Sequence, residues 1–579
     1  MSIATERYQL WISDPAFDEK TRRELLEIRD DANEIEDRFY KNLEFGTAGL
    51  RGILGAGTNR MNFYTVARAT EGFARHLDTL GNALKQRGIV ISYDSRLYSK
   101  EFAQLSAQIF TAHGIKVLLF DELRPVPMIS FAIRYYEAAA GVMITASHNP
   151  AKYNGYKAYG EDGGQLPPDE ASGVSKCMDE VVDIARISRL SMEEARARKL
   201  LVDIGPEIDK AYNDMLLDLR IDTEVVARHK DMKIVYSPLH GAGNKPVRRI
   251  LASMGFEAVM VVPEQEKPDG NFPTVAFPNP EERSALKLAI ELAERESADL
   301  VIATDPDADR TGLCVRTAEG EYEVLSGNQI GLLLMDYILG AKTRAGILPP
   351  NSFCITTIGS TKLTRRIAEH YKVDLYETLT GFKFIAELIK DLDENGDGHF
   401  QFGFEESFGY LAGRDVRDKD AIVTSMLIAE MAAAAADRGW TLHDALNDLY
   451  KRYGQAAELT ISIVREGKAG LELIRNGMNA LRQEGILKLP GVPIIQMTDY
   501  LTHTVRTVDG ELLAAPDLPP SDVLIYTLEN GIDWFCVRPS GTEPKIKIYF
   551  GFYGKDKAEL EARLAETRAT VEAYIRTKL

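Results

Sequence analysis

Three times along this chain a short apolar run ends in a polar loop and gives way to a stretch of helical periodicity. No other feature constrains the fold as strongly, because strand–helix–strand units lay successive strands side by side and parallel. In the first round Phe63, Val66, Ala69, Phe73, Leu77 and Leu80 recur at helical spacing, and G-I-V-I-S-Y-D-S-R reads as a strand running into a loop. A helix from Glu101 to about His113, the strand I-K-V-L-L-F and the strand opening A-A-A-G-V-M-I-T-A-S-H-N-P follow. The second round begins near Lys233 with K-I-V-Y-S-P-L-H-G-A-G. It continues through a helix from Lys245 to Met254, E-A-V-M-V-V, a helix from Ser284 to Glu296 and A-D-L-V-I-A-T. The third holds F-C-I-T-T-I-G, a helix from Lys362 to His370, V-D-L-Y-E-T and a helix from Phe382 to Asp391. Ahead of these rounds, Glu19 to Asn42 predicts one charged helix. Behind them come a long helix over 421–436 and a further segment over 442–453, then A-E-L-T-I-S-I-V, V-L-I-Y-T-L, W-F-C-V-R-P and K-I-K-I-Y-F-G-F-Y. A closing helix runs from Lys555 to about Thr577. The expected fold class is α/β: three α/β domains with mainly parallel, mixed sheets, then a C-terminal α+β domain. The expected boundaries are 1–217, 218–340, 341–455 and 456–579.

Length agrees, since 579 residues exceed what one domain of roughly 100–200 residues holds. Lys plus Arg number 69 and Asp plus Glu 87, for a net charge of −18. Such an acidic chain is a poor partner for nucleic acid or an anionic membrane, so no nucleic acid and no membrane are expected as partners. Cys177, Cys314, Cys354 and Cys536 lie far apart without a C-x-x-C pair, which favours reduced thiols over disulfides or a zinc site. The N-terminal residues are too polar for a signal peptide, and no apolar run would span a bilayer, so a cytoplasmic location is expected.

Five polar stretches stand out from this frame. T-A-S-H-N-P places Ser147 at the end of an apolar strand, and Y-N-G-Y-K brings Lys157 within folding reach of it. A serine that carries phosphate needs a cation and a proton carrier beside it, and a lysine can be either; the plain alternative is a turn serine. D-P-D-A-D-R sets Asp305, Asp307 and Asp309 at alternate positions, which in extended backbone would point one way. Three unpaired carboxylates repel unless a hard divalent cation joins them. D-L-D-E-N-G begins like a calcium loop, but its twelfth position is Phe402, so it reads as a hairpin turn. G-F-E-E-S-F-G-Y offers Glu405 and Ser407, which on an exposed loop would suit gripping sugar hydroxyls; a plain turn is the equal alternative. R-P-S-G-T-E-P offers a guanidinium, hydroxyls and a tight turn, suited to phosphate or else a solvated hairpin.

Taken together these stretches resemble the α-D-phosphohexomutase superfamily, from G-T-A-G-L-R-G (46–52) to R-P-S-G-T-E-P, in the family's order and over nearly the whole chain. Within it, E-E-S-F-G and Y-N-G-Y-K-A-Y-G-E-D-G-G-Q look like the branch that holds bacterial phosphoglucomutases and phosphopentomutases. The resemblance implies three related α/β domains and a fourth domain around a central cleft. It implies that Ser147 is the phosphorylated serine and that Asp305, Asp307 and Asp309, with the serine phosphate, bind Mg2+. Lys157 is implied as general base, with neighbouring cations lowering its proton affinity, and Arg51, His148 and Arg310 as neighbours of the phosphoserine. Thr380, Gly381, Lys383, Glu405, Ser407 and Lys419 are implied to hold the sugar. Arg538, Ser540, Gly541 and Thr542 are implied to hold the phosphate that does not react. The implied reaction interconverts glucose 1-phosphate and glucose 6-phosphate through glucose 1,6-bisphosphate, with sugar phosphates as the partners. Phosphopentomutase, phosphomannomutase and bisphosphate synthase activities stay open on the same residues. So does a silent paralogue, although such a chain would be expected to have lost Ser147 or an aspartate.

Overall fold

A computed structural model describes residues 2–46, 49–396, 398–465, 467–540 and 545–579, the side chains of 467–469 apart. By its packing the chain forms two units, 1–330 with 386–443, and 331–385 with 444–579.

Two sheets organise the first unit. One has six strands in the order Gly49–Ile53, Tyr153–Tyr159, Ala140–Ile144, Ile89–Tyr93, Val117–Phe120, Leu201–Ile204. The last four are parallel to one another, and the first two add antiparallel at one edge. Strands covered on both faces read as unbroken apolar runs, and Ile89–Tyr93, Val117–Phe120 and Ala140–Ile144 are buried throughout. The strand Tyr153–Tyr159 has no such run. A Cβ at Gly155 would stand 2.4 Å from the Thr145 carbonyl oxygen and 2.9 Å from that of Leu50, so glycine is needed for this close approach. The second sheet has the order Tyr322–Val324, Thr311–Arg316, Leu300–Thr304, Ile234–Ser237, Val259–Val261, with parallel pairing among the last three. The antiparallel hairpin His399–Glu405/Gly409–Ala412 and the buried helix Ala421–Ala436 complete the unit near the polar loops. Asp420 caps that helix, accepting from the N–H groups of Ile422 and Val423 and from the Tyr212 hydroxyl.

In the second unit Ser352–Thr357 and Asp374–Thr378 pair in parallel. A seven-stranded sheet follows, antiparallel throughout, in the order Gln455–Val464, Lys545–Gly554, Trp534–Pro539, Leu524–Leu528, Ile494–Asp499, Thr504–Thr507, Leu512–Ala514. Helices Gly467–Glu484 and Lys557–Arg576 pack on it over a core that includes Tyr526, Phe535, Phe550 and Val571.

The α/β reading with a distinct C-terminal sheet domain stands, with two local corrections. The N-terminal segment forms three helices, Ile3–Ser13, Glu19–Glu27 and Ala32–Phe39, where one was expected. Asp18 and Asp31 each accept backbone N–H groups ahead of them and restart the helix, while Tyr8, Trp11, Phe17, Leu25 and Phe39 bury together. The D-L-D-E-N-G stretch is no hairpin turn: Asp391 to Asn395 close the helix Phe382–Asn395, whose buried Phe382, Ile385, Ala386 and Ile389 keep helical spacing. The G-F-E-E-S-F-G stretch is a tight hairpin turn, the plainer of its two readings, and Glu405 is 6% exposed rather than on an exposed loop. The four cysteines are free thiols. Among the described residues no helix is long and apolar enough to cross a membrane.

Candidate active site

Ser147 follows the strand Ala140–Ile144 in a loop that leaves it 4% exposed and in the left-handed region, φ +52. Its N–H donates to Thr145 Oγ1 (2.8 Å), and its own Oγ donates to Asp305 Oδ2 (2.8 Å), 158 residues away in sequence. His148 Nδ1 lies 3.1 Å from the same Oγ. Arg51, on the edge strand Gly49–Ile53, donates to Asn149 Oδ1 (3.0 Å), which places it beside this loop.

Asp305, Asp307 and Asp309 follow the strand Leu300–Thr304 and converge, but not by strand alternation as expected. The segment is a turn in which Ala308 takes φ +47, and the turn gathers the three carboxylates so that a ligand oxygen from each lies within 4.8 Å of the others. Neighbouring elements fix the turn: Ala242 N–H donates to the Pro306 carbonyl (2.8 Å), Val126 N–H to that of Asp307 (2.9 Å) and Ala421 N–H to that of Ala308 (3.2 Å). Thr145 Oγ1 donates to Asp307 Oδ2 (3.1 Å), which joins the serine loop to the acidic turn. All three aspartates are buried, and Asp307 Oδ1 and Asp309 Oδ1 have no hydrogen-bond partner among the described residues. Buried anionic oxygens left unpartnered are costly. An all-oxygen donor set with two open ligand atoms fits a hard divalent cation such as magnesium.

Two lysines moderate this charge. Lys157, on the strand Tyr153–Tyr159, reaches Asp307 Oδ2 (2.9 Å) and Asp309 Oδ2 (3.2 Å). Lys419 reaches Asp309 Oδ2 (3.2 Å) and Asp418 Oδ1 (3.1 Å). Glycine at 409 makes room for Lys419, since a Cβ there would come within 2.2 Å of its Cδ. Burial and the two neighbouring carboxylates hold Asp305 well above the usual carboxylate range. Burial acts the same way on Asp309, but Lys419, Lys157 and Arg310 outweigh it and pull Asp309 down. Burial pushes Glu405 up to about 7 against the pull of Lys419. For Lys157 the expectation of a lowered proton affinity fails. Burial and Lys419 do lower it, but Asp307 and Asp309 at ion-pair distance outweigh both, and the ammonium is held on balance above its ordinary value.

The remaining predicted residues fall in several places. Arg310 donates its N–H to Asp305 Oδ1 (3.0 Å) while its guanidinium pairs with Glu281. Ser407 sits half-buried at the hairpin apex, its Oγ 3.5 Å from Glu406 Oε1. Thr380 and Gly381, the latter at φ +127, precede the helix Phe382–Asn395, and Lys383 lies in its first turn with Nζ over the Phe384 ring. Arg538 lies on the strand Trp534–Pro539, and Ser540 N–H donates to the Lys545 carbonyl (2.8 Å). Gly541 and Thr542 lie outside the described residues.

Sequence reasoning missed four charged residues here: Asp94, Arg96, Glu281 and Asp418. Arg96 is buried and donates to the carbonyls of Ser147, Asn149, Pro150 and Tyr153. Asp418 accepts from Tyr159 (3.1 Å), Gln165 (2.9 Å) and Lys419. The signal available for Arg96 was its place in D-S-R, directly after an apolar strand, the position that Ser147 and Asp305 share.

The phosphoglucomutase/phosphomannomutase α/β/α domains I, II and III match residues 42–183, 210–320 and 326–453. The chain is 39% identical over 518 residues to the phosphoglucomutase of Staphylococcus epidermidis (strain ATCC 35984), covering 90% of this chain and 92% of that one. It is 36% identical over 547 residues to that of Staphylococcus aureus (strain MRSA252), covering 94% and 96%. Among solved structures, a phosphoglucomutase/phosphomannomutase family protein from Burkholderia thailandensis shares the fold with a TM-score of 0.63 at 18% identity, covering 92% of this chain and 98% of that one. The open form of parafusin, a phosphoglucomutase from Paramecium, does so with a TM-score of 0.66 at 17% identity, covering 93% and 94%.

Proposed function

The chain belongs to the phosphoglucomutase/phosphomannomutase family, and from that premise we infer that it is an intramolecular phosphotransferase that interconverts glucose 1-phosphate and glucose 6-phosphate. One observation carries the assignment of the reacting group: the Ser147 hydroxyl lies 2.8 Å from Asp305, within a buried all-oxygen triad.

Phosphoserine 147 gives its phosphoryl group to the free hydroxyl of the sugar phosphate. The P–Oγ bond breaks, a new P–O bond forms, the sugar hydroxyl gives its proton to a base, and the Ser147 oxygen takes one up to become the free hydroxyl. The resulting glucose 1,6-bisphosphate turns over and returns its other phosphate to Ser147. A magnesium ion held by Asp305, Asp307 and Asp309 with the serine phosphate would neutralise charge on the transferring group. Lys157 is the proton carrier. Its ion pairs keep it protonated, the state that supplies a proton, and as a base it must first be released from Asp307 and Asp309. Arg51, His148 and Arg310 are assigned beside the phosphoserine. Glu405, Ser407 and Lys419, with Thr380, Gly381 and Lys383, are assigned to the sugar; Arg538, Ser540, Gly541 and Thr542 are assigned to the non-reacting phosphate. A cytoplasmic location accords with these sugar-phosphate substrates.

The test is a panel of glucose, mannose, ribose and N-acetylglucosamine 1-phosphates with magnesium and catalytic bisphosphate. Glucose 1-phosphate is expected to give the highest kcat/KM, and Ser147→Ala no turnover with the fold intact by circular dichroism. A clear win for ribose 1-phosphate would make the chain a phosphopentomutase, and a win for mannose 1-phosphate a phosphomannomutase. Accumulation of bisphosphate from an acyl-phosphate donor would make it a synthase. Near-normal turnover by Ser147→Ala would remove Ser147 from the reaction.

A further inference from the structure

We propose that Arg96 is a positioning residue that aims the Ser147 hydroxyl at the acidic turn, and that Phe272 holds Arg96 in place to do so. The proposal rests on Ser147 carrying the phosphoryl group.

The Arg96 side chain is fully buried, yet its two terminal nitrogens serve the main chain of a single loop. Nη1 donates to the carbonyls of Pro150 and Tyr153, each at 3.0 Å, and Nη2 to those of Ser147 and Asn149. Four N–H groups meet four carbonyls, and the loop 147–153 is wrapped around one cation. This matters because of the backbone of Ser147. At φ +52 it occupies the left-handed region, which is uncommon and strained for a residue with a side chain. The bond from Arg96 falls on the carbonyl of that residue itself. A charge-assisted bond to a buried carbonyl is stronger than a neutral one, and here it opposes relaxation of the peptide. Rotation of that peptide to an ordinary conformation would swing Oγ away from Asp305 Oδ2.

Arg96 is in turn held on every side. Asp94, equally buried, lies 3.4 Å from Nε and accepts the Arg96 backbone N–H (2.9 Å) and the Ser99 hydroxyl (2.7 Å). The Phe272 ring covers one guanidinium face, its centroid 4.9 Å from the central carbon. The segment bearing Phe272 reaches Arg96 through a backbone bridge at Gly270, where a Cβ would stand 2.4 Å from the Leu97 nitrogen. Phe272 itself takes φ +47. Burial lowers the guanidinium pKa to about 10, which leaves it charged at neutral pH. Neither residue needs to touch a substrate; the effect passes through the direction of one hydroxyl.

Arg96→Lys and Phe272→Leu test this in the magnesium-loaded enzyme. Lysine keeps the charge but has neither the reach nor the planar fork to serve four carbonyls. Arg96→Lys is expected to lower kcat about 30-fold or more and to slow loading of Ser147 from glucose 1,6-bisphosphate, read by intact-protein mass, by a like factor. KM should stay within about twofold, and so should the magnesium affinity of the dephosphorylated enzyme, because the three aspartates do not move. Phe272→Leu, which leaves every hydrogen bond of Arg96 in place, should lower kcat about fivefold. The double variant should fall short of the product of the two, since both act through one group. A folded Arg96→Lys enzyme with kcat within twofold of wild type overturns the proposal even if its melting temperature drops, because a merely structural role predicts that result. Should Arg96→Lys not fold, unchanged kcat in Phe272→Leu overturns it instead. A wild type that turns over without ever carrying phosphoryl on Ser147 overturns the functional reading and this proposal together; a phosphorylated wild type with indifferent variants overturns this proposal alone.

Discussion

Lys157 is held by the very groups that, as the proposed base, it would have to leave. Its ammonium shares Asp307 Oδ2 and Asp309 Oδ2, the carboxylates that a divalent cation would need. Two cations in one small site repel, so the lysine competes with the metal. Lys157→Gln is therefore expected to bind magnesium several-fold more tightly by isothermal titration calorimetry while losing turnover; unchanged or weaker binding would show that no competition exists. Asp307→Asn should act in the opposite sense. It removes a ligand charge while leaving an amide oxygen to accept from the Thr145 hydroxyl, and should weaken magnesium binding and turnover together by about tenfold or more. Chelation should abolish activity, and magnesium should restore it better than calcium, whose larger, looser coordination misplaces the phosphoryl group. Which residue types could do the proposed chemistry was legible in the motifs, because serine, aspartate and lysine carry their chemistry with them. The sign of the Lys157 shift was not, because it depends on which charges folding brings within about 3 Å.

At the scale of elements, the helix Ala421–Ala436 supports the acidic turn through the Ala421 N–H and is itself capped by Asp420. Burial raises the Asp420 carboxyl to about 6, against an unfolded value near ~3.9. The fold thus prefers the neutral acid. The stability it contributes is fully present below about pH 4 and is lost as pH rises through about 6, on the order of 2–3 kcal/mol in all. Asp420→Asn keeps a neutral cap that still accepts from Ile422 and Val423, so it should flatten the urea-denaturation midpoint between pH 4 and 7. Asp420→Ala leaves both N–H groups and the Tyr212 hydroxyl without their acceptor and should destabilise by roughly 2 kcal/mol or more at any pH. A variant with asparagine that keeps the wild-type slope would place the pH dependence elsewhere. This helix was readable in sequence to its end residues because it is a mostly apolar, alanine-rich run after an aspartate. The strand Tyr153–Tyr159 was not, because its place beside two other strands rests on the missing side chain of Gly155 rather than on any periodicity.

At the scale of the whole chain, each of the two units has a core of its own, and the acidic triad lies entirely in the first. Calorimetry should show magnesium raising the melting of the unit that holds the triad. The gain should be about 2.7 kcal/mol at a concentration one hundred times Kd. No shift on adding magnesium would remove the ion from the triad. The four-domain division at 217, 340 and 455 is a proposal for limited proteolysis. Because the helix Gly327–Ala345 runs through 340, cleavage is expected in 346–351 instead. Sequence alone determined the alternation of strands and helices, the recurrence of polar loops at strand ends and the identity of the groups in those loops. These are properties of neighbouring residues, governed by periodicity, turn chemistry and intrinsic side-chain chemistry. Tertiary structure alone decided that Thr145 meets Asp307, that Lys157 and Lys419 share Asp309, and that Arg96 gathers the carbonyls of the Ser147 loop. It also decided that a turn, not a strand, brings the three aspartates together. Those outcomes depend on contacts between segments up to 162 residues apart and on the burial of charge, and no local pattern encodes either one.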